Sequence, residues 1–314
     1  MPATTTQLST VSGELFPQEP FDFNKTLAFL QAFPPTAGEQ ALAPATLTKA
    51  VSIHGRAVAF KIQATGTIEE PRLTYTLYTE QPLSKHEQQL ILERIRFFLS
   101  LDDDLRPFYA LCLTDLHMAA VIERLYGLHQ PKFLTPFEIA CWSILVQRTP
   151  MAISQRIKQA IVERWGTSIR LLDATYQAFP EADQLAQASS EELLQIVRNE
   201  RKVAYLRSVI DFFQKTDEQF LRYGNYEEVA RQLRKVHGIG AWSAAFILIR
   251  GLGRMEASSV EDELLKAVNR IYSPDKPLSQ ADVQQILQRY GSLQGYYSFY
   301  MRVSGLDLSR LPAR

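Results

Sequence analysis

The chain has 314 residues, with 34 basic and 34 acidic side chains and therefore a formal net charge of zero. This length can bury a large core and favours two or three domains. The balanced charge argues against a partner held mainly by overall electrostatic attraction, but it leaves open a nucleic acid bound by backbone amides and a few local cations.

The N-terminal region, residues 1–20, shows no hydrophobic periodicity and is expected to be a mobile tail. It lacks the charged-then-apolar pattern of a signal peptide, and the sequence contains no apolar run of the roughly 18 residues that a membrane span needs. We therefore expect a cytoplasmic protein without a membrane partner. The two cysteines, Cys112 and Cys141, are too few for a disulfide framework and are expected to be buried thiols.

Residues 21–104 are predicted to form a small α+β domain. A helical pattern over residues 21–33 ends at two consecutive prolines, and three alternating segments of strand length follow it. These segments cover residues 47–53, 57–64 and 73–79. Ser84, with Glu87 three residues later, forms a capping-box signature that opens a helix over residues 85–99. The segments therefore predict an antiparallel meander with helices on one face.

From residue 105 onward the pattern is helical, without a convincing strand. The predicted helices cover residues 105–112, 114–126, 136–147, 150–165, 168–176, 181–187, 190–198, 200–214, 226–236, 241–252, 261–272, 279–290 and 294–302. The connections are short and no fixed repeat is present, so residues 105–314 are predicted to be a compact helical region. The fold class is therefore α+β, with an N-terminal antiparallel-sheet domain followed by an all-α bundle.

The most informative stretch is a Gly-x-Gly turn formed by Gly238, Ile239 and Gly240, which joins two helical patterns with no room for a longer loop. Its glycines can take positive φ and allow another backbone to approach, while the second helix presents free N–H groups at the turn. Such a turn can hold a phosphate. The basic residues around it could contact a nucleic acid backbone or could be solvated helix faces. They are Arg231, Arg234, Lys235, Arg250 and Arg254.

Seven segments of the helical region resemble the helix–hairpin–helix DNA glycosylase superfamily. They are residues 135–138, 144–147, 179–180, 185–186, 202–206, 236–240 and 259–265. With the α+β unit first, the layout over about residues 21–305 is similar to the bacterial 3-methyladenine DNA glycosylase II (AlkA-type) branch. The resemblance implies a monomeric, monofunctional glycosylase of base excision repair that needs no cofactor. Its partner would be damaged double-stranded DNA, from which it would hydrolyse flipped alkylated purines.

The resemblance implies that Asp262 is the catalytic aspartate. Cleavage of an N-glycosidic bond develops oxocarbenium character on the sugar, and a fixed carboxylate stabilises that charge and can orient or deprotonate the attacking water. The residues alone leave the choice open, because Glu261 and Glu263 flank Asp262. In addition, Ser259 three residues earlier is equally typical of a helix-capping box.

Trp242 follows the hairpin at the position that is a lysine in the superfamily's bifunctional members, whose amine attacks the sugar and forms a Schiff base. An indole cannot perform this step, so a hydrolase that leaves an abasic site is expected. A glycosylase with lyase activity would need a lysine near Asp262, where Lys266 is the nearest in sequence.

The base pocket is predicted to contain Trp242 and Phe246, which lie four residues apart on one helix face, together with Tyr296 or Tyr297 from a late helix. Electron-rich rings suit a base that alkylation has made cationic, although aromatic side chains at helical spacing are equally typical of a core. Three positions depart from the family. Leu293 stands where a pocket tryptophan is common, and His237 and Ser259 stand where a proline is common.

The resemblance also implies a set of DNA contacts and a cation site. The DNA-contacting residues would be Gly238, Gly240, His237, Ala241, Arg148 and Gln147. Among them, Arg148 stands where a side chain fills the gap left by the flipped nucleotide. The backbone carbonyls of Arg234, Val236 and Ile239 would hold a structural Na or K ion.

A second hypothesis is a helix–hairpin–helix protein that binds DNA without catalysis. An open cavity lined by Trp242 and Phe246, with Asp262 at its mouth, would favour the enzyme, whereas a solid core at this place would favour the binding protein.

Overall fold

The computed structural model describes residues 8–273 and 276–308. Its N-terminal domain is built on an antiparallel sheet in the order β1-β5-β4-β3-β2. The strands are β1 Ser9–Leu15, β2 Gln40–Ala43, β3 Thr46–Ile53, β4 Arg56–Ala64 and β5 Leu73–Thr79. The three predicted strands correspond to β3, β4 and β5, so the predicted meander forms the middle of the sheet.

Two strands of this five-stranded sheet were not predicted. The expectation that residues 1–20 form a mobile tail is wrong for Ser9–Leu15, which pairs along its whole length with β5. The strand contains few apolar residues and is paired to a segment far along the chain, so its stability comes from the partner strand and not from a local pattern. The short strand β2 is likewise held at the opposite edge by β3.

Two helices, α1 Phe23–Ala32 and α2 Lys85–Phe98, pack on one face of this sheet through residues such as Leu27 and Ile95. The capping box that opens α2 is present, with Ser84 Oγ accepting from Glu87 N at 3.2 Å and Glu87 Oε2 accepting from Ser84 N at 2.9 Å. Helix α1 also turns Phe29 into the core of the C-terminal helices. It therefore connects the sheet domain to the rest of the chain.

The rest of the described chain is mainly helical, and the α+β fold class is confirmed. The helices are α3 Arg106–Cys112, α4 Leu116–Leu125, α5 Pro136–Leu145, α6 Met151–Trp165, α7 Ala182–Ala186, α8 Ser190–Val197, α9 Glu200–Lys215, α10 Glu218–Tyr223, α11 Tyr226–Lys235, α12 Ala241–Leu252, α13 Asp262–Tyr272, α14 Gln280–Gln288 and α15 Gln294–Val303. Helix α10 was not predicted. Each of the other helices named here matches a predicted helix to within a few residues. In the described ranges no helix is long and apolar enough to cross a membrane.

The predicted helix over residues 168–176 is wrong. This segment forms a hairpin of β6 Thr167–Leu171 and β7 Ala174–Ala178, which packs on β3 and β4. Ile169 is buried against the small side chains of Ala50 and Ala59 in the first sheet. The hairpin is thus stabilised by covering the sheet's second face, a tertiary contact that helical periodicity does not reveal.

The helical region has two hydrophobic cores, and α12 lies between them. Ala244, Ile247 and Leu248 pack in a core with α5, α9 and α11, whereas Ile249 packs in the core formed by α3, α4, α13, α14 and α15. The two cysteines are buried in these cores as predicted, with Cys141 in the first and Cys112 in the second. The helix that follows the Gly-x-Gly turn is therefore held at the junction of the two halves.

Candidate active site

The turn between α11 and α12 needs glycine at only one of its two glycine positions. Gly238 has a φ of 96°, and a Cβ added there would lie 2.3 Å from Cγ of Tyr205 on α9. Gly240 has a φ of −84°, and a Cβ added there would meet nothing within 4 Å. Gly238 is thus required by its backbone conformation and by close packing, whereas Gly240 leaves the space in front of α12 open.

The N-terminus of α12 is available to an anion. Gly240 is the N-cap residue, and no side chain caps the helix. The first backbone N–H groups of an α-helix have no acceptor within the helix, and the helix dipole adds partial positive charge at this end. Ala241 is exposed at the first helical position, as the predicted phosphate contact requires.

The basic residues around the turn divide into two groups. Arg231, Arg234 and Lys235 are exposed and remain candidates for contacts to a DNA backbone. Arg250 is buried, and Arg254 pairs with Glu256 at 2.7 Å. The possibility that all five side chains face a nucleic acid is therefore wrong for these two, because Arg250 is buried and Arg254 is held by Glu256 and the Gly224 carbonyl.

Two predicted DNA-contacting residues, Gln147 and His237, differ in their exposure to solvent. Gln147 Nε2 donates to the Gly238 carbonyl at 2.8 Å and approaches Ser243 Oγ at 3.4 Å, so this amide braces the hairpin from within. His237 is exposed, and its ring stands edge-on to Tyr205 with centroids 4.7 Å apart. Of the two side chains, that of His237 is the one exposed enough to contact DNA.

Arg148 lies in a second exposed turn, between α5 and α6. Its φ of 50° is a left-handed conformation that residues other than glycine rarely adopt. Lys202 on α9 holds the turn through its ammonium, which donates to the Leu145 carbonyl and to Thr149 Oγ1. Because Tyr205 on the same helix packs under Gly238, α9 supports both exposed turns.

Trp242 and Phe246 line one wall of a cavity of about 290 Å³, close to the lower end of the size range of ligand pockets. Their rings are stacked, with centroids 5.3 Å apart and an interplanar angle of 16°, and Trp242 remains 44% exposed at the rim. The alternative that these aromatic residues form a solid core is wrong. Further walls come from residues that the sequence did not indicate. They are Phe29, Phe33, Arg250, Phe299 and Arg302.

The prediction that Tyr296 belongs to the base pocket is wrong. Its ring packs on Phe108 in the C-terminal core, and its hydroxyl donates to Asp103 Oδ2 at 2.7 Å. Burial and the Asp103 carboxylate raise the pKa of the Tyr296 hydroxyl above its ordinary value, so it stays a donor. The rotation of α15 instead brings Phe299, three residues later, to the cavity. Leu293 is partly buried against the same C-terminal core.

Three consecutive carboxylates lie at the start of α13, and they have different surroundings. Glu261 accepts a hydrogen bond from Trp242 Nε1 at 2.9 Å and forms an ion pair with Arg302. Asp262 is exposed and makes no hydrogen bond or ion pair with another described residue. Glu261 and Glu263 line the cavity, whereas Asp262, between them in sequence, does not.

The capping interpretation of Asp262 is wrong. Helix α13 begins at Asp262 itself, its N-cap residue is Glu261, and no side-chain oxygen caps it. Ser259, which would have been the partner in a capping box, lines the cavity instead. Asp262 is therefore not used to start the helix, and its carboxylate is free for another role.

The cavity offers no amine nucleophile. None of the described residues that line it is a lysine, and Lys266 is exposed one helical turn beyond Asp262. The residue at the start of α12 that faces the cavity is the indole of Trp242. A Schiff-base route would therefore need a lysine from outside this lining.

Comparison with known proteins agrees with the fold, although no family model matches the chain. The DNA-3-methyladenine glycosylase of Bacillus subtilis is 25% identical over 228 residues, which cover 72% of this chain and 75% of that protein. A 3-methyladenine DNA glycosylase from Archaeoglobus fulgidus superposes with a TM-score of 0.76 at 19% identity, over 93% of this chain and 97% of the other.

A third relative was solved with nucleic acid. The 8-oxoguanine glycosylase/lyase of Clostridium acetobutylicum, in complex with double-stranded DNA, has a TM-score of 0.67 at 16% identity and covers 94% of this chain and 96% of its own. Together the fold, the hairpin and these relatives define a DNA glycosylase. The chain has the fold of the helix–hairpin–helix DNA glycosylases, and its relatives support a DNA glycosylase of base excision repair.

Proposed function

We propose that this chain is a monofunctional glycosylase that removes alkylated purines, of the 3-methyladenine kind, from damaged double-stranded DNA as a monomer. The observation that carries the proposal is the stacked pair Trp242 and Phe246, which lines an open cavity directly beyond the hairpin. A protein that only binds DNA has no need of such a cavity. The name of the Bacillus subtilis relative supports the same substrate class.

In the proposed reaction the damaged nucleotide leaves the duplex and its base enters the cavity past Trp242. The bond between C1′ and the base nitrogen breaks, and its electron pair leaves with the base. The carboxylate of Asp262 stabilises the positive charge on the sugar and accepts a proton from the water that adds to C1′. Glu261 is less suited, because its carboxylate already holds Trp242 and Arg302.

The proposal is tested by incubating the protein with a duplex that carries a single 3-methyladenine or 7-methylguanine. We expect the free base and a continuous strand with one abasic site, because no lysine lines the described cavity. Borohydride added during the reaction should trap no covalent complex. Strand cleavage with a trapped complex would overturn the monofunctional assignment, and the absence of base release would overturn the substrate class.

Arg148 is proposed to fill the gap in the duplex once the base has left it. Its strained, exposed position at the tip of a braced turn supports this role. Replacement of Arg148 with Ala should slow base release from duplex DNA by about tenfold, because the flipped state is less stabilised.

The control for this prediction is the same lesion in a single strand, where no base pair has to be opened. Wild-type and Arg148→Ala proteins should release the base from it at similar rates. An equal loss on both substrates would instead assign Arg148 a role in folding or general DNA affinity.

We also propose that no cofactor takes part and that a Na or K ion binds the backbone carbonyls of Arg234, Val236 and Ile239. The Val236 carbonyl already accepts from Ile239 N–H at 3.0 Å, but a carbonyl oxygen has a second lone pair for a cation. Such an ion would add positive charge beside the N-terminus of α12, where a phosphate would approach.

A further inference from the structure

The inner end of the cavity is formed by a buried arginine on the same face of α12 as the two stacked rings. Trp242, Phe246 and Arg250 follow one another at four-residue spacing, about 6 Å apart along the helix axis. Their exposure falls in that order, from 44% for Trp242 through half-buried Phe246 to 8% for Arg250. The cavity therefore has an aromatic entrance and a cationic inner end.

The guanidinium of Arg250 lacks acceptors of its own. Its Nε and Nη2 are buried and have no hydrogen-bond partner, and within the described residues it forms no ion pair. The rings of Phe33 and Phe29 cover it, with centroids 4.4 and 5.1 Å from Cζ. The lining carboxylate of Glu261 is already paired with Arg302. Buried donors without acceptors destabilise a protein, so a donor group kept in this state is suited to a ligand that supplies the acceptors.

Arg250 remains charged at neutral pH. Burial lowers its pKa to about 9, and the nearby Arg302 adds to this effect. A guanidinium donates hydrogen bonds and accepts none. The Arg250 guanidinium therefore favours a base edge that carries a carbonyl oxygen and disfavours one that presents an amino group.

We propose that Arg250 determines the specificity of this cavity by donating to O6 of a 6-oxopurine. The proposal rests on the proposed function and narrows its substrate class. Arginine is the side chain that most often reads the O6 and N7 edge of guanine, whereas the adenine edge offers an amino group at the same place. Among alkylated purines, 7-methylguanine keeps this oxygen and 3-methyladenine lacks it. An uncharged 6-oxopurine such as hypoxanthine also avoids repulsion by the guanidinium.

The experiment compares two bases that differ at position 6, where one carries O6 and the accompanying N1–H and the other carries hydrogen, with and without the arginine. Duplexes carry hypoxanthine or unsubstituted purine at one site, and base release is measured for wild-type and Arg250→Met proteins. Wild type should release hypoxanthine with a kcat/KM at least about tenfold above that for purine, and the variant should lose most of this preference. Arg302→Met is the matched control, since Arg302 lines the same cavity but is paired; it should affect both bases equally.

The outcomes separate this proposal from the proposed function. If wild type releases alkylated purines but does not distinguish hypoxanthine from purine, the role of Arg250 is overturned and the function stands. If Arg250→Met weakens release of both bases equally, Arg250 only packs against the phenylalanines. If Arg250→Met prevents folding, Arg250→Leu removes the same donors with another apolar side chain and should show the same loss of preference. No release of any damaged base by wild type would overturn the proposed function itself.

Discussion

Replacing Asp262 with Asn should reduce kcat for base release by about 100-fold or more, since the neutral amide cannot stabilise the positive charge on the sugar. The side chain is exposed and caps no helix, so the fold should be unchanged. DNA affinity should be retained, because the turn that is proposed to bind phosphate lies elsewhere in the chain. Single-turnover release of the free base from a lesion duplex, together with a binding titration, measures both effects.

The neighbouring carboxylates provide matched controls for this prediction. Glu263→Gln should have little effect on kcat, because Glu263 lines the cavity without a partner among the described residues and has no assigned role. Glu261→Gln should have an intermediate effect, because the amide can still accept from Trp242 Nε1 but loses the ion pair with Arg302. If Glu261→Gln or Glu263→Gln abolished release while Asp262→Asn did not, the catalytic carboxylate would have to be reassigned.

Replacing Gly238 with Ala should destabilise the protein by about 3 kcal/mol, the sum of a left-handed backbone that alanine disfavours and an overpacked contact. The new methyl group would have to displace the ring of Tyr205, whose Cγ lies 2.3 Å from the place that the added Cβ would occupy. Urea unfolding monitored by circular dichroism measures the change in the free energy of unfolding.

Gly240→Ala is the control, because its φ suits any residue and the added methyl group would meet open space. Its free energy of unfolding should change by less than about 1 kcal/mol. Its affinity for DNA should nevertheless fall, since the methyl group would stand in front of the N-terminus of α12. Equal destabilisation by both substitutions would contradict the distinct roles of the two glycines.

Features with a local chemical cause could be predicted from the sequence. The capping box at Ser84 and the bounds of α12 depend on residues close together in the chain, and both agree with the structure. The strands β1, β6 and β7 depend on pairing and packing with distant segments, so local periodicity did not predict them.

The candidate site was likewise predictable only where it depends on residues close together in the chain. Trp242 and Phe246 share a cavity because four-residue spacing places them on one helix face, and the same spacing continued to position 250 would have indicated Arg250. Phe29 and Phe33 come from the N-terminal domain, and no local pattern relates them to α12. The prediction of Tyr296 failed, and Phe299 was not predicted, because the residue that faces the cavity depends on the rotation of α15 about its axis, which packing decides.

The central claim is that the cavity beyond the hairpin receives a base taken out of the duplex. The most direct measurement is a crystal structure of the Asp262→Asn protein with a duplex that carries 7-methylguanine. We expect the base inside the cavity, against Trp242 and Phe246, with a phosphate at the N-terminus of α12 and Arg148 in the gap. A base that stays stacked in the duplex, or lies against another surface while the cavity remains closed to it, would contradict the account.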